Sequence, residues 1–307
     1  MTQETNTPPH VSTLAALSAE LSGVVARVGP SVVRVDDGSR LTAIGLLWTE
    51  DGVVLTTSHG VERDDELAVE LADGTRLPTV LVGRDPETDL AVLRVSASGL
   101  TPVTKADPEA VRVGQLVLAL GRPGESGLSA TLGIISARQD AQDGGRPEYV
   151  LHTDATLYPG FSGGPLVNVA GEVVGMTNLG FGRGMGFALG LPILAHVADA
   201  LLAGGRVRRG YLGVSTQSVA LPQSLQAGLG VSQERGLLVV QVESGGPADA
   251  AGLSLGDILL GLGGAALDDV DDLRRLLRGL TAGQAVTLNL ARGGAAQTLA
   301  VTLGARE

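Results

Sequence analysis

Apolar positions along the chain fall into three regimes. Between residues 11 and 28, Leu14, Leu17, Leu21, Val24, Val25 and Val28 recur at helical spacing. Ser12 or Thr13 supplies an N-cap and Pro30 stops the run, so a helix is predicted there. Glu20 and Arg27 interrupt it, as in a packing helix rather than a membrane one. From Ser31 to about Gly190 the runs are short, and alternate or are wholly apolar: Val32–Val35, Ala43–Trp48, Val53–Thr56, Leu67–Leu71, Val80–Val82, Leu90–Val95, Gln115–Leu120, Gly133–Ser136, Tyr149–Leu151, Pro165–Val167 and Val173–Thr177. Turn pairs such as Asp51-Gly52, Asp73-Gly74 and Ala170-Gly171 separate them, so an all-β barrel or sandwich is predicted. A helix over Leu191–Leu202 closes this stretch, and the glycines that follow it read as a linker.

Residues 211–307 form the third regime. Strands are predicted at Tyr211–Val214, Gly236–Val242, Ile258–Leu262, Ala285–Leu290 and Thr298–Leu303. A short helix starts at Pro247 and stops before Gly252, and a second runs from about Asp269 to Arg278, acidic at its start and basic at its end. The predicted organisation is a disordered leader (1–10), a β-rich domain with its N-terminal helix (11–203), a linker (204–210) and a small α+β domain (211–307).

Composition removes several function classes. With no cysteine among 307 residues, thiol catalysis, disulfides and Cys-ligated metals are excluded. A net charge of −11 and a single lysine, Lys105, leave no basic stripe for nucleic acid. No apolar run reaches the ~20 residues of a membrane span. The first nine residues lack the pattern of an export signal, so the chain as it stands reads as cytoplasmic, and as periplasmic or envelope-associated if such a segment is missing. Five of the seven aromatic residues (Tyr149, Tyr158, Phe161, Phe181 and Phe187) fall within residues 149–187, either as a binding site or as one domain's core.

Histidines narrow the chemistry. His10 lies in the leader, His196 in a packing helix and His152 at a strand end, whereas His59 follows an apolar strand in Thr56-Thr57-Ser58-His59-Gly60. Asp89 opens the apolar strand Leu90–Val95, where a carboxylate can be buried and hold an imidazole. Ser162 sits in Gly160-Phe161-Ser162-Gly163-Gly164-Pro165, which is either a Gly-rich hairpin turn or a loop that aims N–H groups at one point, as an oxyanion hole requires. The chain order His, Asp, Ser is that of chymotrypsin-type enzymes.

These blocks together resemble the HtrA/DegP family of serine proteases from about residue 24 to residue 304. Ser31–Val35 resembles the family's first strand and Leu55–Gly60 its histidine motif. Leu71–Thr75 with Val82–Leu93 resembles its aspartate segment, and Thr153–Asn168 its serine motif. Tyr211-Leu212-Gly213-Val214 resembles the carboxylate-binding loop of a PDZ domain, and Gly246–Leu259 that domain's helix-to-strand signature. The resemblance implies a mainly β fold, a chymotrypsin-like double six-stranded β-barrel followed by a small α+β PDZ domain. It implies a catalytic triad of His59, Asp89 and Ser162, an oxyanion hole from the N–H groups of Gly160 and Ser162, and a substrate pocket shaped by Tyr158, Phe161, Leu179, Phe181 and Phe187. At the PDZ unit, Tyr211 to Val214 would bind a peptide carboxylate. Arg208 and Arg209 would either support that carboxylate or belong to a solvated linker.

The implied activity is degradation of misfolded or unfolded proteins without cofactor or metal, with PDZ recognition of peptide C-termini and assembly as a homotrimer. A non-catalytic or dormant peptide-sensing chaperone is the alternative, motivated by Phe161, which stands where the family usually has Asn. Other departures are Thr-Ser-His-Gly around His59 in place of Asn-Ala-His-Val, a short loop at Asp36 to Leu41, and no aromatic residue in residues 1–47.

Overall fold

The computed structural model describes residues 13–38, 43–123, 127–143, 146–180, 186–207, 209–280 and 282–305. They divide into two compact units, one of residues 1–140 and 148–207, the other of residues 141–147 and 208–307.

In the first unit, helix α1 (Thr13–Val28) leads into six strands: β1 (Val32–Asp36), β2 (Ala43–Leu47), β3 (Val53–Thr57), β4 (Ala68–Glu70), β5 (Arg76–Asp85) and β6 (Leu90–Val95). They close into a barrel in the order β1-β2-β3-β6-β5-β4. A second barrel, ordered β10-β11-β12-β9-β8-β7, is built from β7 (Leu116–Gly121), β8 (Ser129–Asp143), β9 (Arg146–Thr153), β10 (Pro165–Asn168), β11 (Val173–Thr177) and β12 (Gly186–Gly190). Helix α2 (Leu191–Gly204) follows and ends on Gly205 in the left-handed conformation.

The wholly apolar runs have a physical reason. Side chains alternate across a strand, and in β2, β3 and most of β6 of the first barrel both faces are buried. Val33, Val35, Val54, Leu93 and Val95 fill the barrel interior. Their neighbours Val32, Val53, Leu55, Leu90 and Val92 point the other way, into the cluster that also holds the second barrel's Leu120, Leu151, Leu166 and Val174 and α2's Leu194 and Leu201. One apolar cluster therefore joins the two barrels.

In the second unit, β14 (Val214–Ala220), β15 (Arg235–Val242), β16 (Ile258–Leu262), β18 (Ala285–Arg292) and β19 (Ala295–Thr302) pair in that order, and β17 (Ala265–Ala266) joins β16. A separate short pair joins β13 (Gly210–Tyr211) to β20 (Gly304–Ala305). Strand β14 is an edge of its sheet. The helices are α3 (Gln223–Leu229), α4 (Pro247–Ala250) and α5 (Val270–Arg278), with α5 beside β14. Asp269 caps α5 in a capping box with Asp272. The core is Leu212, Leu237, Leu259, Leu273, Leu288 and their neighbours.

Candidate active site

Asp89 ends the turn before β6 with φ of +55°, a left-handed conformation that a non-glycine residue adopts only when its surroundings demand it. Here they do. Its carbonyl accepts the Ser58 N–H at 2.9 Å, and Oδ1 accepts the His59 N–H at 2.8 Å. Oδ2 accepts His59 Nδ1 at 2.5 Å and Asn178 Nδ2 at 2.8 Å. Burial pushes the Asp89 carboxyl up, but the hydrogen bonds from the His59 ring, the His59 backbone and Asn178 outweigh it and hold the group below its ordinary range. The hydrogen bond to Asp89 raises His59 above the ordinary 6.5, against the opposing effect of burial. His59 follows β3 directly, and its ring is about half exposed.

A pH prediction follows. A general base must be neutral to act. Any activity carried by His59 therefore falls as pH drops through its raised pKa, so the acidic limb of kcat/KM lies above 6.5. In Asp89→Asn that limb moves down, because the charge that held the imidazolium is gone, and kcat drops by about 10⁴-fold. A pH–rate profile of both proteins checks this.

The serine loop is clamped from several sides. Phe161 N–H donates to Tyr158 O at 3.0 Å and Gly164 N–H to Phe161 O at 2.9 Å. Gly163 N–H donates to Thr177 O at 2.8 Å, and the Thr177 hydroxyl donates to the carbonyls of Phe161 at 2.5 Å and Gly164 at 3.0 Å. Gly163, with φ of +86°, lies so close to the first barrel that a Cβ there would stand 2.0 Å from Ile44 O. Among the described residues, the N–H groups of Gly160 and Ser162 donate to no protein acceptor. The Ser162 hydroxyl accepts the Leu179 N–H at 3.0 Å.

Two consecutive residues thus join the site. Asn178 holds Asp89, and Leu179 holds Ser162. Asn178 went unrecognised in the sequence, where the only hint was a polar pair, Thr177-Asn178, closing an apolar strand. Of the aromatic pocket candidates, Tyr158 is 54% exposed, with its ring edge-on to Phe161 at 5.9 Å. Phe161 differs from the expectation: it is fully buried in the second barrel's core and supports the loop from beneath rather than lining a surface. Leu179 and Phe187 are partly buried, and Phe187 meets His152 edge-on at 5.8 Å. Phe181 lies outside the described residues. His196 packs within α2, and His10 lies outside the described residues.

In the second unit, Gly213 has φ of +77° and turns the chain from β13 into the edge strand β14. Among the described residues, the N–H groups of Leu212 and Gly213 donate to no protein acceptor. The Leu212 and Gly213 carbonyls are occupied by the N–H groups of Ala248 and Glu243, and the Tyr211 hydroxyl donates to Glu243. Arg209 precedes this loop, while Arg208 lies outside the described residues.

A chymotrypsin-like double barrel with a His–Asp pair and a serine in a glycine-rich loop, followed by a sheet unit with an open edge beside a helix, defines a trypsin-like peptidase fold with one PDZ domain. Residues 43–176 match the trypsin-like peptidase domain family and residues 210–303 the PDZ domain family. The chain is 38% identical over 265 residues to a probable periplasmic serine endoprotease DegP-like of Ectopseudomonas mendocina (strain ymp), covering 85% of this chain and 56% of the relative. With a protein of the same description from Rhizobium meliloti (strain 1021) it shares 39% identity over 272 residues, covering 86% and 53%. The chain spans about half the length of these curated relatives. The solved HtrA-type protease AlgW with decapeptide superposes at a TM-score of 0.78 with 30% identity, covering 93% of this chain and 98% of that one. The serine endoprotease from Yersinia pestis superposes at 0.77, also with 30% identity, covering 93% and 98%. This chain belongs to the HtrA-type, DegP-like family of serine proteases. Among its described residues, no helix is long and apolar enough to cross a membrane.

Proposed function

We propose that this protein is a serine endopeptidase that cleaves unfolded or misfolded proteins through His59, Asp89 and Ser162. The observation that carries this is the 2.5 Å contact of His59 Nδ1 with a buried Asp89, which Asn178 also holds, while the residue after Asn178, Leu179, holds Ser162. In the reaction, Ser162 Oγ attacks the scissile carbonyl as His59 Nε2 takes its proton. Asp89 steadies the imidazolium, and the N–H groups of Gly160 and Ser162 receive the oxyanion. His59 then gives the proton to the leaving amine, and water releases the acyl group from Ser162 by the same path. Tyr158, Leu179 and Phe187 shape the pocket for a small or medium aliphatic residue. A serine-directed fluorophosphonate probe tests the nucleophile, since it reacts only with an activated hydroxyl.

The PDZ unit captures peptide C-termini. A chain end adds to the β14 edge as a further strand, and its carboxylate takes the N–H groups of Leu212 and Gly213, with Arg209 and Arg208 as the supporting charges. Charge-assisted hydrogen bonds dominate such a contact. Amidating the C-terminus of a binding peptide is therefore expected to weaken it by about tenfold or more. Equal affinity of the two peptides in a calorimetric titration would rule out carboxylate capture.

The periplasmic descriptions of the DegP-like relatives favour the periplasm or cell envelope as the setting. The exposed Leu14 and Leu17 on α1 offer an apolar face through which copies would assemble as a trimer. A second reading, a dormant enzyme or peptide-gated chaperone, is favoured by one contact alone: the Ser162 hydroxyl is held by Leu179 rather than by His59.

A further inference from the structure

Ser162 Oγ accepts the Leu179 N–H at 3.0 Å, and among the described residues no hydrogen bond joins it to His59. An oxygen held this way has a lone pair engaged, and its place is set by a peptide group instead of the imidazole. The Leu179 peptide is in turn fixed by the residue before it. Asn178 is fully buried and uses both ends of its amide. Nδ2 donates to Asp89 Oδ2 at 2.8 Å, and Oδ1 accepts the Gly180 N–H at 2.7 Å. The Asn178 N–H donates to Phe187 O at 2.9 Å, which pins the segment from its other side. A Cβ built on Gly180 would stand 3.5 Å from Asp89 Oδ2 and 3.6 Å from His59 Nδ1, so the segment runs directly over the acid–base pair.

We infer that Asn178 is a positioning residue for the nucleophile: its amide brackets residues 178–180 so that the Leu179 N–H keeps Ser162 Oγ off His59, and the hydroxyl is freed for attack when the bracket opens. The inference rests on the reading of Ser162 as nucleophile. It makes the strand end beside the serine a latch whose strength is that of one net hydrogen bond.

The test uses the full chain and the rate of fluorophosphonate labelling at Ser162 across pH. Asn178→Thr keeps a hydroxyl near Asp89 and removes the carbonyl that takes the Gly180 N–H. It is expected to label about 2- to 10-fold faster than wild type, the range of one net hydrogen bond, with its acidic midpoint unchanged. Asn178→Val has the same shape and also removes the donor. Asp89, the charged group acting on His59 among the described residues, then holds the imidazolium more strongly, and the midpoint moves up. A role in packing alone would slow both variants and move neither midpoint. Amide exchange gives a reading independent of activity. The Leu179 N–H is expected to exchange about 2- to 10-fold faster in Ser162→Ala, while the Thr177 N–H, bonded to Gly164 O at 2.8 Å, stays as it was. Unchanged Leu179 exchange, or Asn178→Thr labelling no faster than wild type, overturns the proposal. Absence of labelling in every chain removes the nucleophile reading and this proposal with it, whereas labelled wild type with no gain in Asn178→Thr removes only the proposal.

Discussion

Cleavage of reduced casein is expected to vanish in Ser162→Ala, with kcat falling by about 10⁴–10⁶-fold. The proposed chemistry has one attacking atom, Oγ, and alanine lacks it. The general base, its carboxylate partner and the two N–H groups remain, but they then have no nucleophile to serve. The fold has little reason to change. Among the described residues, the one hydrogen bond to Ser162 Oγ comes from the Leu179 N–H, and the loop is held by Gly163, Gly164 and Thr177. Wild type and variant should therefore give matching circular dichroism and unfolding midpoints, with casein fragments from wild type alone. Comparable fragment release by both would remove Ser162 from the mechanism.

The second large effect is on stability. Gly163→Ala is expected to destabilise the first unit by more than about 4 kcal/mol, the range reserved for changes the structure cannot absorb. Two causes act together. The backbone has φ of +86°, where a Cβ is strained, and that Cβ would lie 2.0 Å from Ile44 O. The obstacle is main chain of a buried strand whose carbonyl also accepts the Thr56 hydroxyl at 2.7 Å, so it has nowhere to move. For a unit of this size about 2–4 °C is lost per kcal/mol, so Tm should fall by about 10 °C or more. Gly74→Ala separates the two causes. It has the same φ of +86° but open space around it, so only the conformational strain of about 1 kcal/mol remains. Equal Tm values for the two variants would show that contact with Ile44 does not govern the loop.

Much of the fold was legible because many strands of the two barrels are short apolar runs, several of them bounded by Asp-Gly or Ala-Gly turns. The misses have physical causes. Strand β12 (Gly186–Gly190) is glycine at both ends and too short to show a period. Strand β5 runs from Arg76 to Asp85 with Pro78 and several exposed positions, so only Val80–Val82 looked like a strand. Strand β8 extends well beyond its apolar centre at Gly133–Ser136. Helix α3 (Gln223–Leu229) has no buried residue and begins after a proline without a side-chain cap, which leaves little signal. The residues Tyr211–Val214 read as one strand, whereas Gly213 breaks it and, among the described residues, the Leu212 and Gly213 N–H groups donate to no protein acceptor.

At the site, residue type and chain order picked out His59, Asp89 and Ser162 as candidates, but the sequence could not show orientation. Phe161 illustrates this. An aromatic residue beside a serine reads equally as pocket wall or core, and only burial separates the two. Asn178 was missed because its role depends on a carboxylate 89 residues earlier in the chain.

The apolar cluster shared by the two barrels has a consequence for self-digestion. An endopeptidase working at high local concentration is surrounded by copies of itself, and cleavage of a folded chain needs a segment to open first. Because Val53, Leu55 and Val92 of one barrel lie in the same cluster as Leu120, Leu166 and Val174 of the other, neither barrel can loosen its shared face without exposing both. Opening there costs close to the free energy of unfolding the whole unit. Under the proposed activity, nicking by sister molecules is then confined to surface loops, and the chain's lifetime among its own kind is set by global stability rather than by its weakest strand.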